Sequence, residues 1–110
     1  MGRQKPSVKL TKVIDETIKL SKKFGNGIVR ILVSLDIKGK LGKYSFAYIN
    51  FQLCHADDGR VLGYDNNHGY HHRHYMGREE PFEFVSYEDT AVRFEKEWRE
   101  LHEKAKERSY

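Results

Sequence analysis

The chain has a single cysteine, Cys54, among 110 residues. An internal disulfide and a cysteine-rich zinc site are therefore both excluded. No apolar run approaches the ~20 residues that a membrane-spanning helix needs. The first ten residues, MGRQKPSVKL, have no apolar signal core. These absences point to a soluble protein of a reducing compartment, and the expected location is the cytoplasm. Proline is scarce, with two residues, and no internal repeat or low-complexity tract interrupts the chain.

Aromatics, by contrast, make up 13% of the residues and charged side chains 33%. That balance suits one folded domain with a heavily charged surface. The expected division is a leader at 1–6 and a single domain at 7–110. The net charge is +4, and the excess is concentrated before position 45, from Arg3 and Lys5 to Lys38, Lys40 and Lys43. A basic side of this kind suits a polyanion such as RNA or DNA, or an acidic protein. It equally suits a solvated, solubilising surface.

The apolar positions Leu10, Val13, Ile14 and Ile18 step at helical spacing, with Thr17 and Ser21 on the same stripe and Gly25 as a stop. This predicts an N-terminal helix. Val29, Ile31, Val33, Leu35 and Ile37 alternate with polar residues, which predicts a half-buried strand. A second strand, YSFAYINFQL, follows the glycine-broken loop KGKLGK. Tyr44, Phe46 and Tyr48 share one of its faces, which suits either stacking of bases or packing beneath a helix. Asp58-Gly59 marks a turn into a third strand, RVLGYDN, and FEFVS reads as a fourth. Ser86 and Asp89 stand at capping-box spacing. Beyond them Ala91, Phe94, Trp98, Leu101 and Ala105 step by three and four, predicting an amphipathic helix over 87–106. The expected fold is α+β: an antiparallel sheet of about four strands with the C-terminal amphipathic helix packed on it, and an N-terminal helix as well.

The densest chemistry lies in YDNNHGYHHRHYMGREEP, where four of the six histidines fall between positions 68 and 74. Histidine titrates near ~6.5 and can donate or accept a proton at working pH. RNA cleavage without a metal needs a base for the 2′-hydroxyl, an acid for the 5′-oxygen and a cation for the phosphate. His72 and His74 are the candidate acid–base pair, with Asp65 orienting one of them. Candidate phosphate contacts are Arg73, Arg78, Lys43 and His71. In an extended strand, however, His72 and His74 point one way and Arg73 the other. Arg73 then pairs structurally with a carboxylate such as Asp65 or Glu79. Two further readings stay open. Two histidines with Asp65 or His55 can hold a divalent metal, although the spacing matches no strong metal signature. The cluster can also be a hydrogen-bonded polar network within the sheet. His55, His102 and Cys54 read as structural residues.

The stretch VLGYDNNHGYHHRHYMGREEPFEFVS resembles the TumE-type toxins of prokaryotic toxin–antitoxin pairs. The resemblance is carried by Tyr64-Asp65-Asn66, the spacer glycine Gly69, His72-Arg73-His74 and the segment GREEPFEFVS. It implies a small toxin held inactive by a cognate antitoxin and acting on RNA or the translation machinery. With the cluster, the expected activity is endoribonuclease-like and needs no cofactor. A non-catalytic module that binds nucleic acid or a partner protein is the alternative, and a metal-dependent nuclease the third.

Overall fold

The computed structural model describes residues 9–21 and 26–108. Six strands run in chain order: β1 (Thr11–Lys19), β2 (Ile28–Leu35), β3 (Leu41–Ile49), β4 (Arg60–Asp65), β5 (His72–Tyr75) and β6 (Arg78–Pro81). Each pairs antiparallel with the next, giving the sheet order β1-β2-β3-β4-β5-β6. One helix follows, α1 (Tyr87–Arg108). The expected leader and Gly25 lie outside the described residues. Among the described residues no helix is long and apolar enough to cross a membrane.

The α+β class and the C-terminal helix agree with the sequence reading, but the N-terminal element does not. Residues 11–19 form a strand, and five of its nine residues (Thr11, Val13, Ile14, Thr17 and Ile18) are β-branched. Branching at Cβ disfavours a helix and fits a pleated surface. The helical spacing was an effect of a bulge. The register with β2 shifts between Lys12 and Ile14, so the neighbouring Val13 and Ile14 break the strand alternation and imitate a helical step.

The expected fourth strand is also displaced. Residues 82–86 form no strand. In its place β5 and β6 make a hairpin inside the histidine segment, closed by Met76 (φ 51°) and Gly77 (φ 84°). Two successive left-handed residues are what a tight type I′ connection needs. Methionine is an unusual occupant of that turn, and histidine has no marked strand preference, so neither marked the hairpin in the sequence. Phe82 and Phe84 serve the core from an irregular connector. Phe82 meets Tyr64 edge-on at 5.0 Å, and Phe84 stacks on His71 at 3.9 Å.

The core lies between the sheet and α1. Val29 and Val33 of β2, Tyr44, Phe46 and Tyr48 of β3, and Leu62 and Tyr64 of β4 are buried against Phe94, Trp98 and Leu101. Phe46 stacks on Phe94 at 5.4 Å, and Tyr48 meets Trp98 at 6.0 Å. The β3 aromatics thus pack beneath the helix, and the base-stacking role for that face is overturned. The Ser86 hydroxyl accepts from the Asp89 backbone N–H at 3.0 Å and starts the helix where the sequence placed its cap. One face of the sheet is therefore committed to the helix. The opposite face holds the polar cluster.

Candidate functional site

Strand register assembles the cluster. Asp65 lies opposite His72, Gly63 opposite His74, and His74 opposite Glu79. Alternation turns Asp65, His72, His74 and Glu79 to the face away from α1. Asp65 and His72 are each 2% exposed and His74 9%. The Asp65 carboxylate sits between the two rings, with Oδ1 2.7 Å from His72 Nε2 and Oδ2 3.1 Å from His74 Nε2. Asp65 Oδ1 also accepts the Asn67 backbone N–H at 3.0 Å. The ring centroids of His72 and His74 are 4.8 Å apart.

Donors and acceptors fix the hydrogens on these rings. His74 Nδ1 faces Arg60 Nη2 at 3.0 Å. A guanidinium only donates, so Nδ1 is the acceptor and the hydrogen resides on Nε2, pointing at Asp65. Burial, reinforced by the Arg60 charge, lowers the His74 pKa and favours this neutral form. His72 differs. Its Nδ1 faces the Tyr70 carbonyl at 3.1 Å and its Nε2 faces Asp65. Both are acceptors, and the set is satisfied when both ring nitrogens carry hydrogen. The two adjacent histidines thus face unlike partners: His74 Nδ1 meets a donor, whereas both His72 nitrogens meet acceptors.

Arg60 was not anticipated from the sequence. It stands at the start of β4, and its side chain runs along the strand over Gly63. A Cβ at Gly63 would come within 3.0 Å of Arg60 Cδ and 3.2 Å of the Phe46 carbonyl oxygen. Glycine within a strand often marks such a close approach, and Gly63 was the available signal. Arg60 Nε donates to Asp57 at 2.6 Å, and Nη1 lies 3.8 Å from Asp65. Asp57 belongs to a 3-10 turn, Asp57–Gly59, with left-handed backbone throughout. Tyr70 was also missed, and Glu79, expected as a partner of Arg73, stands with the histidines instead. The Tyr70 ring lies 4.6 Å from that of His72, and its hydroxyl donates to Glu79 at 2.6 Å. That bond holds the Glu79 carboxyl below its ordinary range. Beside the cluster is a cavity of about 140 Å³ lined by Arg60, Asp65, Asn67, His68, His72, His74 and Glu79.

The family model for Toxin TumE matches residues 9–102, spanning all six strands and most of α1. The chain belongs to the TumE toxin family. No curated protein and no solved structure matches it.

In this TumE family member the Tyr-Asp-Asn element divides its work by alternation. Tyr64 points to the helix and Asp65 to the histidines. Asn66 ties the end of β4 to β3, accepting from Tyr44 N at 3.0 Å and donating to the Gly42 carbonyl at 3.1 Å. The His-Arg-His element divides likewise. Arg73 projects to the helix side, where Nε donates to the Tyr64 hydroxyl at 3.0 Å, Nη1 to Glu80 at 3.0 Å and Nη2 to Glu97 at 2.5 Å. The Tyr64 hydroxyl also donates to Glu97. Burial and the Glu97 carboxylate push the Tyr64 pKa up to about 12. Burial works against the Arg73 charge, but Glu97 and Tyr64 outweigh it and hold the guanidinium firmly charged.

The expected phosphate contacts do not gather at the cavity. His71 shares the helix side with Arg73, its Nδ1 2.8 Å from the Tyr44 hydroxyl. Arg78 pairs with Tyr75 and so falls on the Arg73 face. Lys43 lies on the cluster's face of β3 but is exposed and does not line the cavity. Asp65, His72 and His74, the expected acid–base trio, come together, and among the four expected cations none lines the cavity.

Asp65, His72 and His74 offer three ligand atoms within 4.8 Å of one another. His72 is oriented as a metal-binding histidine often is, with Nδ1 held by the Tyr70 carbonyl. His74 does not fit. A metal at its Nε2 would displace that hydrogen while Nδ1 still faces a guanidinium, and the Arg60 charge stands beside the same carboxylate. His55, the other expected ligand, is exposed and outside the group. With Arg60 in place the donor set does not suit a divalent ion.

Proposed function

We propose that this TumE family member is the toxin of a type II toxin–antitoxin pair and an endoribonuclease that works without a metal. A cognate antitoxin silences it, and the cytoplasm, where RNA and antitoxin are at hand, is its place of action. The observation that carries the reading is the hydrogen assignment of His74. Asp65 holds Nε2–H, which leaves Nδ1 without a hydrogen, accepting from Arg60, on a residue that lines an open cavity. This is the orienting logic of a carboxylate–histidine dyad.

The chemistry balances with the groups present. His74 Nδ1 takes the proton of a ribose 2′-hydroxyl. The freed 2′-oxygen forms a bond to phosphorus, and the bond from phosphorus to the 5′-oxygen breaks. His72, with hydrogen on both nitrogens, gives one to the departing 5′-oxygen. The products are a 2′,3′-cyclic phosphate and a 5′-hydroxyl end.

Induction in a bacterial host, together with RNA cleavage by purified protein, tests the reading with His72→Ala and His74→Ala. Each is expected to restore growth and to reduce cleavage by roughly 10²–10⁴-fold, the usual contribution of general acid–base catalysis. Full toxicity in both variants overturns the proposal. Activity that vanishes with a chelator and returns with a divalent ion favours the metal-dependent alternative. Steeply salt-dependent RNA binding without cleavage, indifferent to both histidines, favours the non-catalytic binding module.

A further inference from the structure

All four ring nitrogens of His72 and His74 have a partner in the free protein. The one that base catalysis needs, His74 Nδ1, is covered by Arg60. We propose that Arg60 is a phosphate-binding residue that caps the His74 lone pair until a nucleic-acid phosphate arrives, then swings its guanidinium to the phosphate and uncovers the base. This deepens the cleavage reading and rests on it, for it names the group that recognises a phosphodiester at the same site.

The geometry favours the exchange. Arg60 Nη2 donates to a neutral ring nitrogen, a weaker partner than a phosphate oxygen, whose charge strengthens the bond and suits the planar guanidinium fork. Nη1 lies 3.8 Å from Asp65, beyond hydrogen-bond distance, and can donate to a second phosphate oxygen. Nε donates to Asp57 at 2.6 Å, and because the guanidinium is one rigid plane a swing exchanges this bond too; both side chains are partly exposed, so the bond given up is a surface one. The absent Cβ at Gly63 leaves the track along which the stem lies. Arg73 is built the opposite way: its three nitrogens are taken by Tyr64, Glu80 and Glu97 on the other face, and it is a tie rather than a reader.

The cavity beside Arg60 holds about 140 Å³, room for several water molecules, and so admits a phosphoryl group. His68 and His72 line it with Arg60. Two carboxylates line it as well. Asp65 is matched by N–H groups from His72, His74 and Asn67, and Glu79 accepts from Tyr70 and lies 3.6 Å from His72 Nε2, so both carboxylates are engaged within the cluster.

The test uses the full chain labelled with ¹⁵N at histidine and arginine. The probes are inorganic phosphate and a DNA dinucleotide, which has the phosphodiester but no 2′-hydroxyl to react. Without ligand, His74 is expected as the Nε2–H tautomer with a hydrogen-bonded Nδ1. Each probe should then shift the Arg60 side-chain N–H and His74 Nδ1 along one saturation curve. Arg60→Gln should weaken phosphate binding at least tenfold, and Arg60→Lys should retain part of it. An Arg60 signal that stays put at saturating phosphate overturns the inference, as does unaltered affinity in Arg60→Gln. The wild-type titration decides even if the variants fail to fold. Coupled shifts in a protein that cleaves no RNA would sink the nuclease reading and leave the phosphate site. RNA cleavage that depends on His74, with Arg60 unmoved, would sink the phosphate site and leave the nuclease.

Discussion

Arg73 reaches Glu97 at 2.5 Å across the sheet–helix interface, on the opposite side of the sheet from His72 and His74. One tripeptide therefore does two jobs. Its histidines build the polar cluster, and its arginine fastens β5 to α1 through Glu97 and to β6 through Glu80. The period of two in an extended strand makes this division unavoidable.

Replacing Arg73 by alanine should accordingly act on stability. Tyr64 would stay buried and Glu97 half-buried without their cation, at a cost of about 1–3 kcal/mol. Lysine should recover little, because one ammonium cannot serve Tyr64, Glu80 and Glu97 together. Urea unfolding reads the outcome as a lower midpoint with an unchanged slope. A variant with wild-type stability and no toxicity would return Arg73 to the chemistry.

The alternation of the His-Arg-His element was legible in the sequence, and so was the opposition of Arg73 to its neighbours. The helix at the C-terminus was legible too, because Phe94, Trp98 and Leu101 repeat over several turns and Ser86 caps them. What escaped depended on contacts distant in the chain or on local irregularity. The bulge at Val13 disguised β1, and the Met76-Gly77 turn hid the last hairpin. Arg60 joins the site by spanning Gly63 to meet a ring on the neighbouring strand, 14 positions away. No local pattern encodes that reach. Only the missing side chain in mid-strand hinted that something passes over it.

That glycine gives a second prediction. Gly63→Ala places a methyl group 3.0 Å from Arg60 Cδ and 3.2 Å from a backbone oxygen that cannot move easily. The expected result is a folded protein destabilised by ~1–3 kcal/mol, the range for overpacking. Arg60 should be pushed from its track, and the His74 ring resonances should change even though His74 itself is untouched. Wild-type resonances and a wild-type melting curve would show that Arg60 does not need the gap.

A third prediction concerns the far end of the sheet. The Tyr48 hydroxyl accepts from Asn50 Nδ2 at 2.9 Å and lies 3.0 Å from His102 Nδ1, all three residues being buried. Tyr48→Phe leaves two polar groups unmatched and should cost about 2–3 kcal/mol. The ring itself, packed on Trp98, would remain. Because His102 and Tyr48 share a partner set, the double change Tyr48→Phe with His102→Leu should cost clearly less than the sum of the single changes. Strict additivity in chemical denaturation would show that the pair is not coupled.

The histidines also predict the response to acid. Burial, the largest cause in each case, lowers the pKa of His71, His74 and His102. The charge of His72 adds to this for His71, Arg60 for His74 and Lys106 for His102. In the unfolded chain these residues titrate near ~6.5. Below that pH the unfolded state takes up protons that the folded state refuses, so stability falls as pH falls. Their contribution is complete above the unfolded value and is lost as pH drops through the lower folded values. Each histidine adds a slope of at most ~1.4 kcal/mol per pH unit within that window. Melting temperatures should be level above neutrality and decline below about pH 6, before most carboxylates titrate near ~4. His71→Phe keeps an aromatic ring against Phe84, where the rings now stack at 3.9 Å, but carries no titrating nitrogen. It should flatten the decline even if it lowers stability at neutral pH by unpairing the Tyr44 hydroxyl. A decline as steep as that of the wild type would place the acid sensitivity elsewhere.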